Sequence, residues 1–249
     1  SSDVCSSDLL FKWACSHEKV PAALWHGLQC VEGLRTGRGG GREAKKILPV
    51  PEEHIEAIRP HVPPVIWALV QLQLCTGARS GELLPLRPID VDRSGDVWTA
   101  RIQHHKSAHL GRDRVLYFGP RAQSILRPFL LRQTSAFLFD PRESVQWWAA
   151  QAETHRRPDQ KPARPKTKRK VRECYDTDSY RRAITRACAK AGVTAWHPHQ
   201  LRHSAATEIR KTFGLEGAQV ILGHTRTNTT EIYAELDQAK ALEIARRMG

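Results

Sequence analysis

Trp196-His197-Pro198-His199-Gln200-Leu201-Arg202-His203 decides how the chain is read, together with Leu222-Gly223-His224 and Thr229-Thr230-Glu231-Ile232-Tyr233 behind it. Imidazoles, a guanidinium and a phenol are gathered there within a few helical turns. Guanidinium and imidazole groups hold and protonate a phosphate, and a phenol can attack one. Leu201, Ala205 and Ile209 recur at i, i+4 and i+8, so 199–213 is expected to be a helix with one buried face, ended by Gly214. His199 and Arg202, three residues apart, then share neighbouring surface at its N-terminal end. The stretch makes a phosphoryl-transfer site without metal ligands if a second cation arrives from elsewhere in the chain.

Upstream, Ala78-Arg79-Ser80-Gly81-Glu82-Leu83 offers that cation. A helix is expected over 65–75, with Ile66, Leu69, Val70 and Leu74 as its buried stripe and Thr76-Gly77 as its stop. Ser80 is expected to cap the next helix, and Glu82 lies near enough to orient Arg79. Taken alone, such an arginine–glutamate pair is more often structural than catalytic. Val97–Ile102 and Arg114–Phe118 read as two β-strands rich in β-formers. Between them lies a hairpin tip crowded with cations, Lys106 among them, and its isolated reading is an exposed loop lysine.

Around these motifs the pattern is helical. Pro51-Glu52-Glu53-His54 starts one helix, with acidic residues where the helix dipole favours them. Residues 121–132 and 144–154 look helical, with Phe137–Phe139 extended between them, and Tyr180–Ala191 is a basic helix stopped by Gly192. Ala218–Leu222 forms a short helix, and Asn228 or Thr229 caps the next, which carries Tyr233. Ala241, Leu242, Ala245 and Met248 share one face of a final amphipathic helix. Before residue 35, Leu10, Phe11 and Ala14 suit one short helix and Leu24, Leu28 and Val31 another opened by Pro21, too little to enclose a core.

Composition narrows the partners. Apolar residues make up 40% of the 249, enough for a substantial core. The net charge of +13 favours a polyanion, nucleic acid being the commonest. Six scattered cysteines without a CxxC pair read as reduced thiols of a cytoplasmic protein, and no apolar run suits a membrane span or a signal peptide. Residues 1–9 repeat Ser-Ser-Asp without an initiating Met and read as a truncated or non-native beginning. Thr36–Arg42 is a flexible basic linker without the order of a phosphate-binding loop. His155–Arg172, with Lys168, Arg169 and Lys170, is either a solvated insertion or a basic segment for non-specific phosphate contacts.

The arginine box at Arg79, a lysine on a β-hairpin, His199-x-x-Arg202, Leu222-Gly223-His224 and Tyr233 nine residues later closely resemble the motifs of tyrosine recombinases of the phage integrase and Xer type. Each piece alone is weak; all in this order and spacing are specific. The resemblance covers residues 46–249 as a catalytic domain, with 1–45 as the remnant of a helical core-binding domain plus linker. It implies an α+β fold, mostly α-helical, with a small antiparallel sheet. It also implies roles. Arg79 and Arg202 clamp the non-bridging oxygens, Tyr233 attacks phosphorus, and His199 takes the phenolic proton. Lys106 protonates the departing 5′ oxygen, and His224 donates a hydrogen bond to the phosphate. Glu82 supports Arg79, and His203 serves packing or a supporting hydrogen bond. Arg112 and Arg114 stand close to Lys106 and leave the hairpin register open.

The same resemblance implies double-stranded DNA as partner, a monomer in solution that assembles as a homotetramer on DNA, and no metal or nucleotide cofactor. In such a tetramer the C-terminal helix, within 236–249, docks on a neighbour. A metal hydrolase using His197, His199 and His203 is the first rival, weakened by the lack of a nearby carboxylate and by Pro198. A DNA-binding module without catalysis and a type IB topoisomerase, acting alone by the same chemistry, are the others.

Overall fold

A computed structural model describes residues 6–31, 48–102, 114–151, 171–223 and 242–248. By its internal contacts the chain divides into Ser1–Lys46 and Ile47–Gly249. The first unit holds α1 (Ser6–Ser16) and α2 (Ala22–Gln29), the latter entered through Pro21. Leu9, Leu10, Trp13, Leu24 and Val31 are exposed, so these helices build no core of their own among the described residues.

The second unit is organised around α4 (Pro64–Thr76), whose sequence PVIWALVQLQLCT is apolar almost all round. A helix of that kind belongs in the middle of a domain, and Ile66, Leu69, Val70 and Leu72 are fully enclosed. Pro64 takes the first helical position, where a missing N–H costs nothing. Gly77 ends the helix in the left-handed conformation at φ 62°, which only glycine adopts freely. A Cβ at Gly77 would sit 2.5 Å from Leu222 Cδ2, so the helix ends against the distant part of the chain that carries the second arginine.

Shorter elements surround α4. They are α3 (Glu52–Ala57), α5 (Ser80–Leu83), α6 (Pro120–Leu126), α7 (Pro141–Gln151) and α8 (Thr177–Ala191). Asp176 caps α8 by accepting the Ser179 N–H at 2.6 Å, and Gly192 closes it. Three antiparallel strands, β1 (Val91–Asp92), β2 (Trp98–Ile102) and β3 (Arg114–Phe118), lie in the order β1-β2-β3, with Trp98 opposite Phe118 and Ile102 opposite Arg114. The α+β, mostly helical architecture expected from the sequence is the one observed. No helix among the described residues is long and apolar enough to cross a membrane.

The last long element, α9 (Pro198–Leu222), is interrupted at Gly214, whose φ of 77° and ψ of −177° are not helical. A straight helix would hold residues 202 and 222 about 30 Å apart, yet Arg202 Nη2 donates to the Leu222 carbonyl at 2.6 Å. The break therefore turns the chain back, and Ile209 packs with Ala218, Ile221 and Leu222. The helix at 242–248, α10, adds Ile244 to this cluster. Its burial is greatest at Ile244 and Ala245, with Leu242 and Met248 half-covered.

Three local expectations are corrected. Arg79, not Ser80, occupies the cap position of α5, because the Glu82 carboxylate accepts the Arg79 backbone N–H at 3.0 Å. The helix expected over 121–132 breaks into α6 and a 3₁₀ turn at Arg127–Leu131, where Pro128 supplies no N–H. Phe137–Phe139 is bent at Leu138 and Phe139 rather than extended, with the Leu138 N–H donating to the Leu86 carbonyl at 2.8 Å.

Candidate active site

The site is built where the end of α4, the short α5, β3 and both arms of α9 meet. Gly77 turns the chain out of α4, and buried Gln73 holds the turn by donating to the Ala78 carbonyl at 3.2 Å. Thr76 Oγ1 accepts the Ala78 N–H at 3.2 Å, which fixes the residue just before Arg79. Glu82 then receives both the Arg79 backbone N–H and its guanidinium, the latter at 2.7 Å. Arg79 is thereby aimed by its own helix while its side chain keeps 39% of its exposure.

Arg202 arrives from the first turns of α9 and is almost wholly buried. It donates to two carbonyls, Gly77 O at 2.8 Å and Leu222 O at 2.6 Å. Carbonyls satisfy N–H groups but do not cancel a charge. Burial, followed by the nearby positive charges of Arg79 and Arg114, lowers the Arg202 pKa to about 10, with Glu82 opposing the change. The group stays protonated at neutral pH but is electrostatically unsatisfied, as a group awaiting an anion should be.

Glu82 is the carboxylate of the cluster and is itself buried. Burial works against its ionised form, but Arg114 and the hydrogen bonds from Arg79 outweigh it and keep its pKa below the ordinary value. Arg114 Nη2 lies 3.2 Å from Glu82 Oε2, and Arg114 Nη1 donates to the Ile221 carbonyl at 2.9 Å. Among the described residues one carboxylate thus sits among three guanidiniums, and their surplus is positive.

His199 lies exposed on the first turn of α9, beside Arg202 in sequence. Burial of part of its ring, then the positive fields of His203, Arg202, His197 and Arg79, lower its pKa below 6.5. A neutral imidazole at physiological pH is a proton acceptor. The His203 ring stands edge-on to it with centroids 5.1 Å apart. The helix start is anchored by Gln200, which accepts the His197 N–H at 3.1 Å and donates to the Leu48 carbonyl at 3.0 Å. Ser204 adds a hydrogen bond from the Val50 N–H at 2.9 Å. Among the described residues no three His, Cys, Asp or Glu side chains are grouped to hold a metal ion, the three imidazoles of this helix included.

Of the residues expected from the sequence, Arg79, Glu82, His199, Arg202 and His203 are brought together. Lys106, His224, Tyr233 and the basic triplet Lys168, Arg169 and Lys170 lie outside the described residues. Tyr175 and Tyr180, two phenols outside the motifs, are both buried. Burial pushes Tyr175 up to about 12, against a hydrogen bond to Ser144, and carries Tyr180 well above the ordinary phenol. Arg114 is the participant that sequence reasoning missed, having been weighed there as a hairpin cation. Its signal was present: Arg114, Leu116 and Phe118 alternate along β3 and share the buried face.

The family model described as the phage integrase family matches residues 43–240, a span that holds every motif named above. The chain belongs to the phage integrase family. The integrase from mycobacterium phage Brujita is 16% identical with a TM-score of 0.54, over 97% of this chain and 69% of that one. The Tn1549 transposon integrase, solved in complex with circular intermediate DNA, is 13% identical with a TM-score of 0.53, over 96% and 86%. At these identities the likeness is one of fold. The tyrosine recombinase XerC of Escherichia coli O1:K1 / APEC is 52% identical over 42 residues, which are 16% of this chain and 14% of that protein. The matched stretch is thus a small part of that curated relative.

Proposed function

We propose that this integrase-family chain is the catalytic portion of a site-specific tyrosine recombinase, cutting and rejoining DNA through a 3′-phosphotyrosyl intermediate. The observation that carries the reading is buried Arg202, bonded among the described residues only to carbonyls, beside the half-exposed, Glu82-aimed Arg79. Two guanidiniums of that kind suit the non-bridging oxygens of one phosphodiester and stabilise the extra charge of its pentacoordinate transition state.

In this reading the Tyr233 oxygen bonds to phosphorus as the bond to the 5′ oxygen breaks. His199, kept neutral, takes the phenolic proton, and Lys106 gives one to the departing 5′ oxygen. His224 donates a hydrogen bond to the phosphate. Attack by a 5′ hydroxyl reverses each step and rejoins the strands. The guanidiniums and Lys106 supply the charge stabilisation and the proton, so the reaction runs without metal. The Tn1549 relative was solved on DNA, and the net charge of +13 suits the same partner here, with Lys168, Arg169 and Lys170 on backbone phosphates. Assembly as a tetramer on two duplexes, from a monomer in solution, completes the reading. Residues 1–45 are then the remnant of a helical core-binding domain plus a linker.

Covalent trapping tests it. The protein and Tyr233→Phe are incubated in chelator with nicked duplexes cut from the flanks of the element that encodes the chain. Denaturing gels and peptide mass spectrometry then follow. A nucleotide adduct on Tyr233, absent from the Phe variant, is expected. Cleavage that appears only with added metal, or an adduct on another residue, overturns the reading.

A further inference from the structure

We propose that Arg114 is a positioning residue of this site, a strut that sets the phosphate clamp and the end of α9 with one guanidinium. The proposal rests on the reading of Arg79 and Arg202 as that clamp.

Three observations carry it. Arg114 is a buried arginine at the first position of β3, where a solvated cation would be expected. One edge of its fork, Nε and Nη2, lies 3.3 and 3.2 Å from Glu82 Oε2, while Glu82 Oε1 receives the Arg79 guanidinium. Its other amino group donates to the Ile221 carbonyl at 2.9 Å, next to the Leu222 carbonyl that Arg202 holds. Immediately beyond, Gly223 leaves α9 at φ 61°, and a Cβ there would meet Arg114 Nη1 at 3.0 Å.

The geometry divides the work. Glu82 aims Arg79 from within one helical turn, taking its guanidinium on Oε1 and its backbone N–H on Oε2; Arg114 adds two contacts to Oε2 from the sheet and so ties that turn to β3. At the other end, two guanidiniums on consecutive carbonyls suit the negative pole of a helix C-terminus. They fix the last turn of α9 at Ile221 and Leu222. A rigid planar fork is needed, because a lysine carries the charge but cannot span a carboxylate and a carbonyl together. Arg114 itself touches no phosphate in this arrangement.

The test compares wild type with Arg114→Lys and Arg114→Gln, and with Arg93→Lys on the exposed turn between β1 and β2. Circular dichroism and unfolding temperature are read first. Then the rise in that temperature on adding sulfate is measured against chloride of equal ionic strength, without DNA. Finally, adduct formation on nicked duplex is timed at saturating protein. Arg114→Lys is expected to keep the native spectrum and DNA affinity, to lose most of the sulfate-induced rise, and to slow adduct formation about 10²-fold, the scale of a misplaced catalytic group. If the lysine variant does not fold, the glutamine variant is read in the same way. A folded variant with the full sulfate response and the wild-type adduct rate overturns the proposal. Wild type that responds to sulfate but forms no adduct sinks the recombinase reading alone, and the sulfate arm still decides the role of Arg114.

Discussion

Two buried arginines meet at the end of α9, and they are solved differently. Arg114 comes from the sheet, faces Glu82, and takes the Ile221 carbonyl. Arg202 comes from the first arm of α9, hydrogen-bonds no carboxylate among the described residues, and takes the Leu222 and Gly77 carbonyls. The first is a compensated charge and holds the fold. The second is left with a pKa lowered to about 10, in a cluster whose surplus is positive. A buried cation whose hydrogen bonds, among the described residues, go only to carbonyls has given up stability at that point. The placement makes sense if an anion supplies the missing charge.

The comparison breaks most sharply at Glu82. Glu82→Gln removes the carboxylate on which both Arg79 and Arg114 depend, leaving Arg114 buried and unpaired. The expected cost is about 3–5 kcal/mol of unfolding free energy, the usual result of breaking one partner out of a buried pair, read as a fall in the urea midpoint. A loss under about 1 kcal/mol would mean that the pair is not structural.

Arg202→Met should behave in the opposite way. It removes an uncompensated charge and two carbonyl contacts together, so unfolding free energy should move by no more than about 1 kcal/mol. What it should abolish is anion binding. Sulfate at about one hundred times its dissociation constant adds about 2.7 kcal/mol to a protein that binds it only when folded. That gain should be present in wild type, absent in Arg202→Met, and absent with chloride at matched ionic strength. An Arg202→Met protein that is strongly destabilised, or that still responds to sulfate, would erase the distinction between the two arginines.

The same contrast explains what the sequence could and could not disclose. Arg202 and His199 were legible because they sit three residues apart on one helix, and helical periodicity places them without knowledge of the rest. The stop at Gly77 and the break at Gly214 were legible because glycine in those places marks a left-handed or non-helical residue. Arg114 was read as a hairpin cation, since its partner lies 32 residues away, on the far side of β1 and β2 in the chain. The alternation of Arg114 with Leu116 and Phe118 along β3 puts it on the buried face, but alternation alone does not name the carboxylate that pairs it. Arg79 as its own helix cap was missed for a related reason: serine is the commoner cap, and only the observed Glu82 contact with the Arg79 N–H decides between neighbours. Local signals fixed the helices; long-range charge pairing had to be seen.

The smallest effect concerns the histidines, and it tests whether Arg202's surroundings also set the proton acceptor. Partial burial is the main reason that the His199 pKa lies below 6.5, with His203 the next contributor. The neutral form is the one that accepts a proton, so adduct formation should be full at neutral pH and fall only as acid drives the solution through the lowered His199 pKa. Folding follows the same sign: below pH 6.5 the unfolded chain takes up a proton that the folded chain resists, so stability also declines with acid. His203→Asn removes one repelling imidazole, moving the His199 pKa back toward 6.5 and the acid limb upward in pH. The rate at pH 8 should be almost unchanged, because His199 is neutral there in both proteins. A limb that moves downward, or a large loss at pH 8, would instead make His203 a participant in proton transfer and put His199 in the supporting place.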